Sequence, residues 1–239
     1  MKAIPIREYQ NTVLKALSGK ISDFYLAGGT ALSLFYFQHR ESIDLDFFSP
    51  SFSYNRVVEI TNNLHEVLKK TVKLIAQSWE DNKSNIMVYN VCFTENGVLK
   101  LDFVQDVFPL IKETKNVEGI KVLSLEDIYI RKIYAIIGIL PALDMIGRKS
   151  FLGGRAEAKD FYDLYFLSHT FMPLSVFVEK YSDLSVKEGL INWFRKYDRM
   201  NIMDGVLRMK VNKKMNYKNM ENHFLNEINK IVEKEIEGI

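Results

Sequence analysis

Residues 25–48 read YLAGGTALSLFYFQHRESIDLDFF, and this stretch decides the fold because it joins two glycines to two closely spaced acids. Its end, SIDLDFFS at 42–49, alternates apolar and other residues with the period of a β-strand. Residues two apart on a strand project from one face, so Asp44 and Asp46 present neighbouring carboxylates. Neighbouring carboxylates repel, and a divalent cation such as Mg²⁺ removes that conflict. The pattern therefore predicts a metal site on an apolar strand.

A further acid lies in a second predicted strand, 98–107. Asp102 stands between Leu101 and Phe103, and an acid in such an apolar setting needs a partner. Three carboxylates on neighbouring strands form the donor set of a two-metal site for phosphoryl chemistry. We therefore predict that Asp102 joins the paired acids as a metal ligand.

The glycines predict where a phosphate binds. Gly28 and Gly29 separate a predicted strand, 24–28, from a predicted buried helix, 29–39. Glycine lets the backbone approach a ligand closely, and the N–H groups that open a helix favour an anion. The hydroxyl of Thr30 adds a donor beside them. Glycines, paired acids and a third acid together indicate nucleotide chemistry.

Composition sets limits on the class of protein. The chain has 239 residues, 47% of them hydrophobic, and a net charge of +2, so its overall charge does not argue for nucleic acid or membrane. The longest apolar run, 133–143, is too short to span a bilayer, and the N-terminus lacks the apolar core of a signal peptide. The single cysteine, Cys92, excludes an intramolecular disulfide. We expect a soluble cytoplasmic protein.

The two halves of the chain differ in character. The first half mixes strand and helix patterns, and the second half is helical to its end, with a polar stretch between them. We predict an α+β fold: residues 1–115 form a mixed sheet flanked by helices, and 116–239 form a helical domain. The predicted elements are helices 7–18, 55–70, 124–138, 155–170 and 219–238, and strands 72–80 and 85–94.

The quoted stretch resembles the first motif of the AbiEii/AbiGii toxin family, within the DNA polymerase beta-like nucleotidyltransferase superfamily. The matching residues, in order, are Gly28, Gly29, Thr30, Ala31, Leu32, His39, Arg40, Ser42, Asp44, Leu45, Asp46 and Phe47. Two later segments, RKIYAIIG at 131–138 and KDFYDLYFL at 159–167, resemble that family's lysine-bearing helix and last motif. The resemblance covers roughly residues 22–170. It implies that residues 1–115 are a minimal nucleotidyltransferase core and that the helical domain 116–239 completes the active site.

This resemblance implies a Mg²⁺- or Mn²⁺-dependent transfer of NMP from an NTP to an acceptor hydroxyl. It implies that Asp44, Asp46 and Asp102 are the catalytic metal ligands. The residues assigned to nucleotide binding are Gly28, Gly29, Thr30, Arg40, Ser42 and Arg155. For His39 and Arg40, contact with phosphate or acceptor and capping of the helix end remain equal alternatives.

The basic part of the site comes from the later motifs. The resemblance implies that Lys132 and Lys159 neutralise the triphosphate. Asp160 and Asp163, one helical turn apart, either position one of these lysines or are structural; Asp160 is counted among the catalytic residues. Residues 139–154 intervene where the family has an arginine, so Arg148 or Arg155 takes that place, and Arg155 is favoured because it opens the helix of Lys159.

Partners follow from one charged segment and from the family. Residues 195–218 hold eight Lys and Arg against two Asp, a local charge of +6, and RNA binding and an ordinary solvated helical face are equal alternatives for this segment. RNA, with tRNA as the expected acceptor, is the predicted partner, and protein is the alternative acceptor. The resemblance further implies a toxin of a toxin–antitoxin or phage-defence pair, hence a cognate antitoxin. The rival functions are a non-catalytic RNA- or antitoxin-binding protein on this fold, and a D-x-D glycosyltransferase.

Overall fold

The computed structural model describes residues 6–79, 84–143, 149–151 and 154–237. The chain divides into two compact units, each with its own core. The first contains Met1–Leu34 and Ser42–Ser124, and the second contains Phe35–Glu41 and Leu125–Ile239. The division lies later than the boundary expected after residue 115, because the strands that follow that point belong to the first unit's sheet.

The first unit is built on a seven-stranded mixed sheet with the order β3-β4-β5-β2-β1-β7-β6. Its strands are β1 Tyr25–Leu26, β2 Leu45–Ser49, β3 Thr71–Ser78, β4 Ile86–Cys92, β5 Val98–Gln105, β6 Lys115–Val117 and β7 Ile120–Val122. Strand β2 runs parallel to β5, and β1 runs parallel to β7. The other neighbouring pairs are antiparallel.

Helices α1 (Ile6–Leu17), α2 (Gly28–Ala31) and α3 (Tyr54–Leu68) complete this unit. The buried positions of α1 recur at helical spacing, so its apolar stripe packs on α3 and β5, and α3 also packs on β3. Alternate residues of β2 and β5 face this core and are fully buried: Leu45, Phe47, Leu99, Leu101 and Phe103. The residues between them project from the opposite face of the sheet.

The second unit is mainly helical, as the sequence predicts. Its helices are α4 Leu125–Ile137, α5 Ala158–Phe166, α6 Leu174–Tyr181, α7 Leu184–Lys196, α8 Arg199–Arg208 and α9 Tyr217–Glu237. Two short strands, β8 Ile139–Leu143 and β9 Lys149–Phe151, pair antiparallel between α4 and α5. The aromatic ring of Phe161, on α5, packs against Trp193 and Phe224 in the core.

The predicted helix 29–39 and the predicted strand 42–49 are both shorter in the structure. The helix expected over 29–39 is α2 followed by a π-helical turn, Leu32–Tyr36, and Gln38 then adopts a left-handed backbone with φ of 50°. The strand expected over 42–49 begins only at Leu45. Residues 42–44 form a loop because side chains, rather than a neighbouring strand, satisfy their carbonyl groups.

Candidate active site

Two of the predicted metal ligands lie directly opposite each other on neighbouring strands. Asp46 on β2 is in register with Asp102 on β5, one pair in a parallel ladder from Leu45↔Leu101 to Ser49↔Gln105. Since facing residues of a parallel pair project from the same side, both carboxylates leave the sheet on the face opposite the core. The fold therefore brings together two acids that are far apart in the sequence.

Asp44 precedes the strand and is held by its loop. The Gln10 side-chain amide donates to the Ser42 carbonyl at 2.8 Å and lies 3.5 Å from the Asp44 carbonyl. The buried Thr30 hydroxyl donates to the Asp44 carbonyl and lies 2.7 Å from the Ser42 hydroxyl. The structure thus engages Thr30 and Ser42, both predicted to bind nucleotide, in fixing the backbone beside Asp44.

Lys100 is a member of this site that our sequence analysis missed. Its Nζ lies 2.8 Å from Asp102 Oδ2 and 3.4 Å from Asp44 Oδ2, so one ammonium joins two of the predicted ligands. Burial lowers the pKa of Lys100, but the two carboxylates outweigh it and the net shift is upward. The signal was present in the sequence, because Lys100 and Asp102 are two apart on a strand and share a face.

Gly28 lies against the Asp46 carboxylate and has no side chain that would collide with it. Its φ of +66° is a left-handed conformation that other residues rarely adopt, and a Cβ built on it would lie 2.5 Å from Asp46 Oδ2. The next residue, Gly29, is buried in α2. Gly28 is therefore required by the close approach of the backbone to a carboxylate, in addition to any role toward a phosphate.

The donor chemistry fits a hard divalent cation. The three acids offer only carboxylate oxygens, and a cationic ammonium already lies between two of them. Within the described residues, no three His, Cys, Asp or Glu side chains are arranged to enclose a metal. Mg²⁺ takes one or two carboxylates and completes its shell with water and phosphate oxygens, so an open set of acids suits it better than a closed protein cage.

A second cluster of charges lies in the second unit, around Asp163. This fully buried carboxylate accepts from Arg40 Nε at 2.6 Å and Arg40 Nη2 at 2.7 Å, lies 2.8 Å from His39 Nε2, and pairs with Lys132 Nζ at 2.7 Å. Burial would raise the pKa of Asp163, but Lys132 and Arg40 hold it well below its usual range. Arg40, predicted to bind nucleotide, is thus engaged by Asp163 in this structure.

Asp160 joins Lys132 from the other side. Asp160 Oδ1 accepts from Lys132 Nζ at 2.6 Å, and Asp160 Oδ2 lies 3.2 Å from Nε of the half-exposed Arg155. Burial lowers the pKa of Lys132, but Asp163 and Asp160 outweigh it, so its pKa is raised and the ammonium stays charged. Asp160 and Asp163 thus both pair with Lys132, and the choice between positioning this lysine and a structural role stays a prediction.

The remaining predicted basic residues differ in accessibility. Lys159 has a side chain that is 47% exposed and pairs with Glu157 at 2.8 Å. Arg155 is 52% exposed beside Asp160, while Arg148, the alternative arginine, lies outside the described residues. Lys132 is enclosed by its carboxylates, whereas Lys159 and Arg155 keep much of their surface open to solvent.

The basic segment 195–218 covers the end of α7, helix α8 and the start of α9. Three of its cations pair with carboxylates: Arg199 with Glu221, Arg208 with Asp204, and Lys210 with Glu41. The exposed remainder comprises Arg195, Lys196, Lys213, Lys214 and Lys218. Among the helices described, none combines the length and apolar content needed to cross a bilayer.

Comparison with known proteins gives matches over most of the chain. The family model described as nucleotidyl transferase AbiEii toxin, Type IV TA system, matches residues 12–237. The uncharacterized protein aq_aa25 of Aquifex aeolicus (strain VF5) is 31% identical over 170 residues, which are 67% of this chain and 66% of that protein. The match thus spans just under two thirds of that relative's length.

Two solved structures share the fold. JHP933 from Helicobacter pylori superposes with a TM-score of 0.57 at 18% identity, covering 97% of this chain and 94% of that one. MenT4, a nucleotidyltransferase toxin from Mycobacterium tuberculosis H37Rv, gives a TM-score of 0.57 at 15% identity, covering 95% and 82%. These similarities confirm the α+β fold expected from the sequence.

Proposed function

This chain belongs to the AbiEii nucleotidyl transferase toxin family, and from that premise we propose that it transfers NMP from an NTP to an acceptor hydroxyl in a Mg²⁺- or Mn²⁺-dependent reaction. The observation that carries the proposal is the register of Asp46 with Asp102, with Asp44 linked to Asp102 through Lys100. A carboxylate set on one sheet face, beside a glycine that leaves room for it, is what metal-dependent phosphoryl chemistry needs.

The proposed roles follow the position of each side chain. Asp44, Asp46 and Asp102 hold the metal, which when bound neutralises phosphate charge and lowers the pKa of the attacking hydroxyl. Asp102 accepts the proton of the acceptor hydroxyl while the oxygen of that hydroxyl forms a bond to the α-phosphorus. The bond from that phosphorus to the bridging oxygen breaks, and pyrophosphate leaves with the electron pair. Such a transfer requires positioning and charge neutralisation, and no covalent intermediate on the protein.

The basic residues are proposed to act on the triphosphate. Lys159 and Arg155 are the better candidates because their charged groups remain accessible to solvent. Lys132 is held by Asp160 and Asp163, so its removal would leave two buried carboxylates and destabilise the unit as well. Substituting Lys159 by Met therefore gives the cleaner test: we expect KM for the NTP to rise while the melting temperature stays unchanged.

RNA, and tRNA in particular, is the acceptor we propose. The exposed cations of 195–218 supply the charge that phosphate backbones require, and binding should weaken steeply with salt. The family description as a Type IV TA system supports a toxin with a cognate antitoxin. Expression of the chain alone should arrest growth, and Asp44→Asn should abolish that arrest at equal protein level.

The deciding experiment is transfer by the purified protein. Each α-³²P-labelled NTP is incubated with total RNA and Mg²⁺, beside Asp44→Asn and Asp102→Asn. Label in RNA with the wild type alone establishes the enzyme and identifies the base and the class of acceptor. Label in protein would move the acceptor to the alternative. RNA binding without transfer of any NTP would favour the non-catalytic binding protein instead.

A further inference from the structure

Lys100 places a positive charge among the acids proposed to bind metal. Its Nζ is 2.8 Å from Asp102 Oδ2 and 3.4 Å from Asp44 Oδ2. The side chain is 39% exposed, whereas those of Asp102 and Asp44 are 14% and 26% exposed. The ammonium thus lies on the solvent side of the less accessible carboxylates, where it contacts both and remains in reach of water.

The strand geometry fixes this arrangement. Lys100 and Asp102 are two apart on β5 and share a face, and Asp46 faces Asp102 from β2. The lysine therefore projects from the sheet face that carries the acids. An ordinary surface ion pair joins two side chains on unrelated parts of the surface, whereas here the strand places the lysine and the acids on one sheet face, and the flexible lysine stem carries the ammonium to them.

A cation so placed offsets the repulsion among the acids. Asp46 and Asp102 are like charges in directly opposed positions, an arrangement that is unfavourable on a sheet. The cross-strand neighbours of Asp102 are Asp46 on β2 and Val88 on β4, neither of which carries a positive charge. An ammonium and a divalent cation cannot occupy the same carboxylate oxygens together.

We propose that Lys100 is a tethered counter-ion that competes with the divalent cation for Asp44 and Asp102. The inference rests on the proposed function, because it takes these acids as the metal site. In the absence of metal, the ammonium holds the carboxylates in place; when a divalent cation enters, the lysine must leave them. Lys100 thereby weakens the binding of metal alone, and it acts as a positioning residue rather than as a group that touches the reacting atoms.

Binding of Mn²⁺ alone tests this, without nucleotide or RNA. Bound Mn²⁺ is measured by the loss of the EPR signal of the hydrated ion and by calorimetry. Lys100→Met removes the charge at similar length, Lys100→Arg keeps it, and Lys15→Met removes one charge from an exposed position on α1. We expect Lys100→Met to bind Mn²⁺ about tenfold more tightly, equal to about 1.4 kcal/mol, from the loss of a competing unit charge at ~4 Å in a partly screened site.

The controls separate the competing explanations. Lys100→Arg and Lys15→Met should keep the affinity of the wild type, since the first retains the cation and the second removes an exposed charge for which the described residues show no ion pair with these acids. Equal or weaker Mn²⁺ binding by Lys100→Met would overturn the inference. So would equal tightening by Lys15→Met, because general charge would then explain the effect.

Asp44→Asn distinguishes this failure from failure of the proposed function. If Asp44→Asn abolishes Mn²⁺ binding but Lys100→Met does not tighten it, the metal site stands and the role of Lys100 is wrong. If Asp44→Asn and Asp102→Asn both bind Mn²⁺ as the wild type does, these acids are not the metal site and the proposed function loses its basis.

Discussion

Replacing Asp163 by Asn removes a buried negative charge that four side-chain nitrogen atoms contact. Asn keeps the shape of the side chain and one acceptor oxygen, but it cannot compensate Arg40 and Lys132, whose side chains are only 6% and 7% exposed. The cost arises because two cations are then left out of water without their shared anion. The change tests whether this cluster holds the second unit together.

The size of the effect follows from the degree of burial. Removing one partner of a buried ion pair costs about 3–5 kcal/mol, and the retained acceptor oxygen favours the lower end. For a chain of this length, each kcal/mol shifts the melting temperature by roughly 2–4 °C. We therefore expect Asp163→Asn to melt about 6–12 °C below the wild type.

The assay is unfolding by heat and by urea at pH 7, followed by circular dichroism. Asp204→Asn is the matched control: it makes the same chemical change in the same unit, but its partner Arg208 is 79% exposed. Such a surface pair contributes about 0.3–0.5 kcal/mol. If Asp163→Asn loses no more stability than Asp204→Asn, the cluster does not stabilise the fold and our reasoning is refuted.

Four further predictions test other parts of the structure. The difference in the free energy of unfolding between the wild type and Asp163→Asn should stay constant from pH 7 to about 5 and narrow below about 4. The reason is that a carboxyl group whose pKa is lowered by folding stabilises the protein above its unfolded pKa of about 3.9, and this stability is lost as the pH falls through the folded pKa. A gap that closes near pH 6 in parallel urea titrations would contradict this. Gly28→Ala should reduce NMP transfer more than about tenfold in the labelled-NTP assay, because the new Cβ would collide with Asp46. Gly19→Ala is the control: Gly19 has a similar φ of +71° but open space around it, so this variant should lose only stability. Equal loss of transfer in both variants would exclude the steric explanation. Asp46→Asn should abolish transfer while its melting temperature stays within about 2 °C of the wild type, since it also relieves repulsion from Asp102; a large fall in the melting temperature would show that Asp46 is structural. Replacing both Lys214 and Lys218 by Gln should lower the slope of log RNA affinity against log salt concentration by up to about 1.5 in filter-binding titrations. Replacing both Lys234 and Lys69 by Gln is the control and should leave this slope unchanged. Equal slopes for the two double variants would place the RNA elsewhere.

The sequence allowed the acids and their strands to be predicted because the relevant signals are local. Alternation around Asp46 and Asp102 marks which face each occupies, and two glycines before a helix mark a close backbone approach. The same alternation also contained Lys100, which would have been found by asking which other charged side chain shares the face of Asp102. The family resemblance, now confirmed, added the reaction.

Other features could not be predicted because they depend on contacts between distant parts of the chain. Thr30 is predicted to donate to a phosphate, and no local pattern indicates that its hydroxyl also donates to the Asp44 carbonyl, in a loop for which the sequence predicts strand. For Arg40 the sequence leaves two alternatives, contact with a phosphate and capping of a helix end, whereas its partner in the structure is Asp163, 123 residues later. No local pattern encodes a pairing across such a distance.

The short segment Phe35–Glu41 belongs to the second unit, although residues of the first unit precede and follow it in sequence. This arrangement affects how the protein folds while it is being synthesised. A ribosome synthesises Arg40 123 residues before Asp163, a delay of roughly 6–25 s at ordinary elongation rates. During that time the nascent first unit can form its sheet, but Asp163, the carboxylate that His39 and Arg40 contact, has not yet been synthesised. For the same reason a fragment that begins at Leu125 is not the complete second unit, because it lacks His39 and Arg40, two of the residues that reach Asp163.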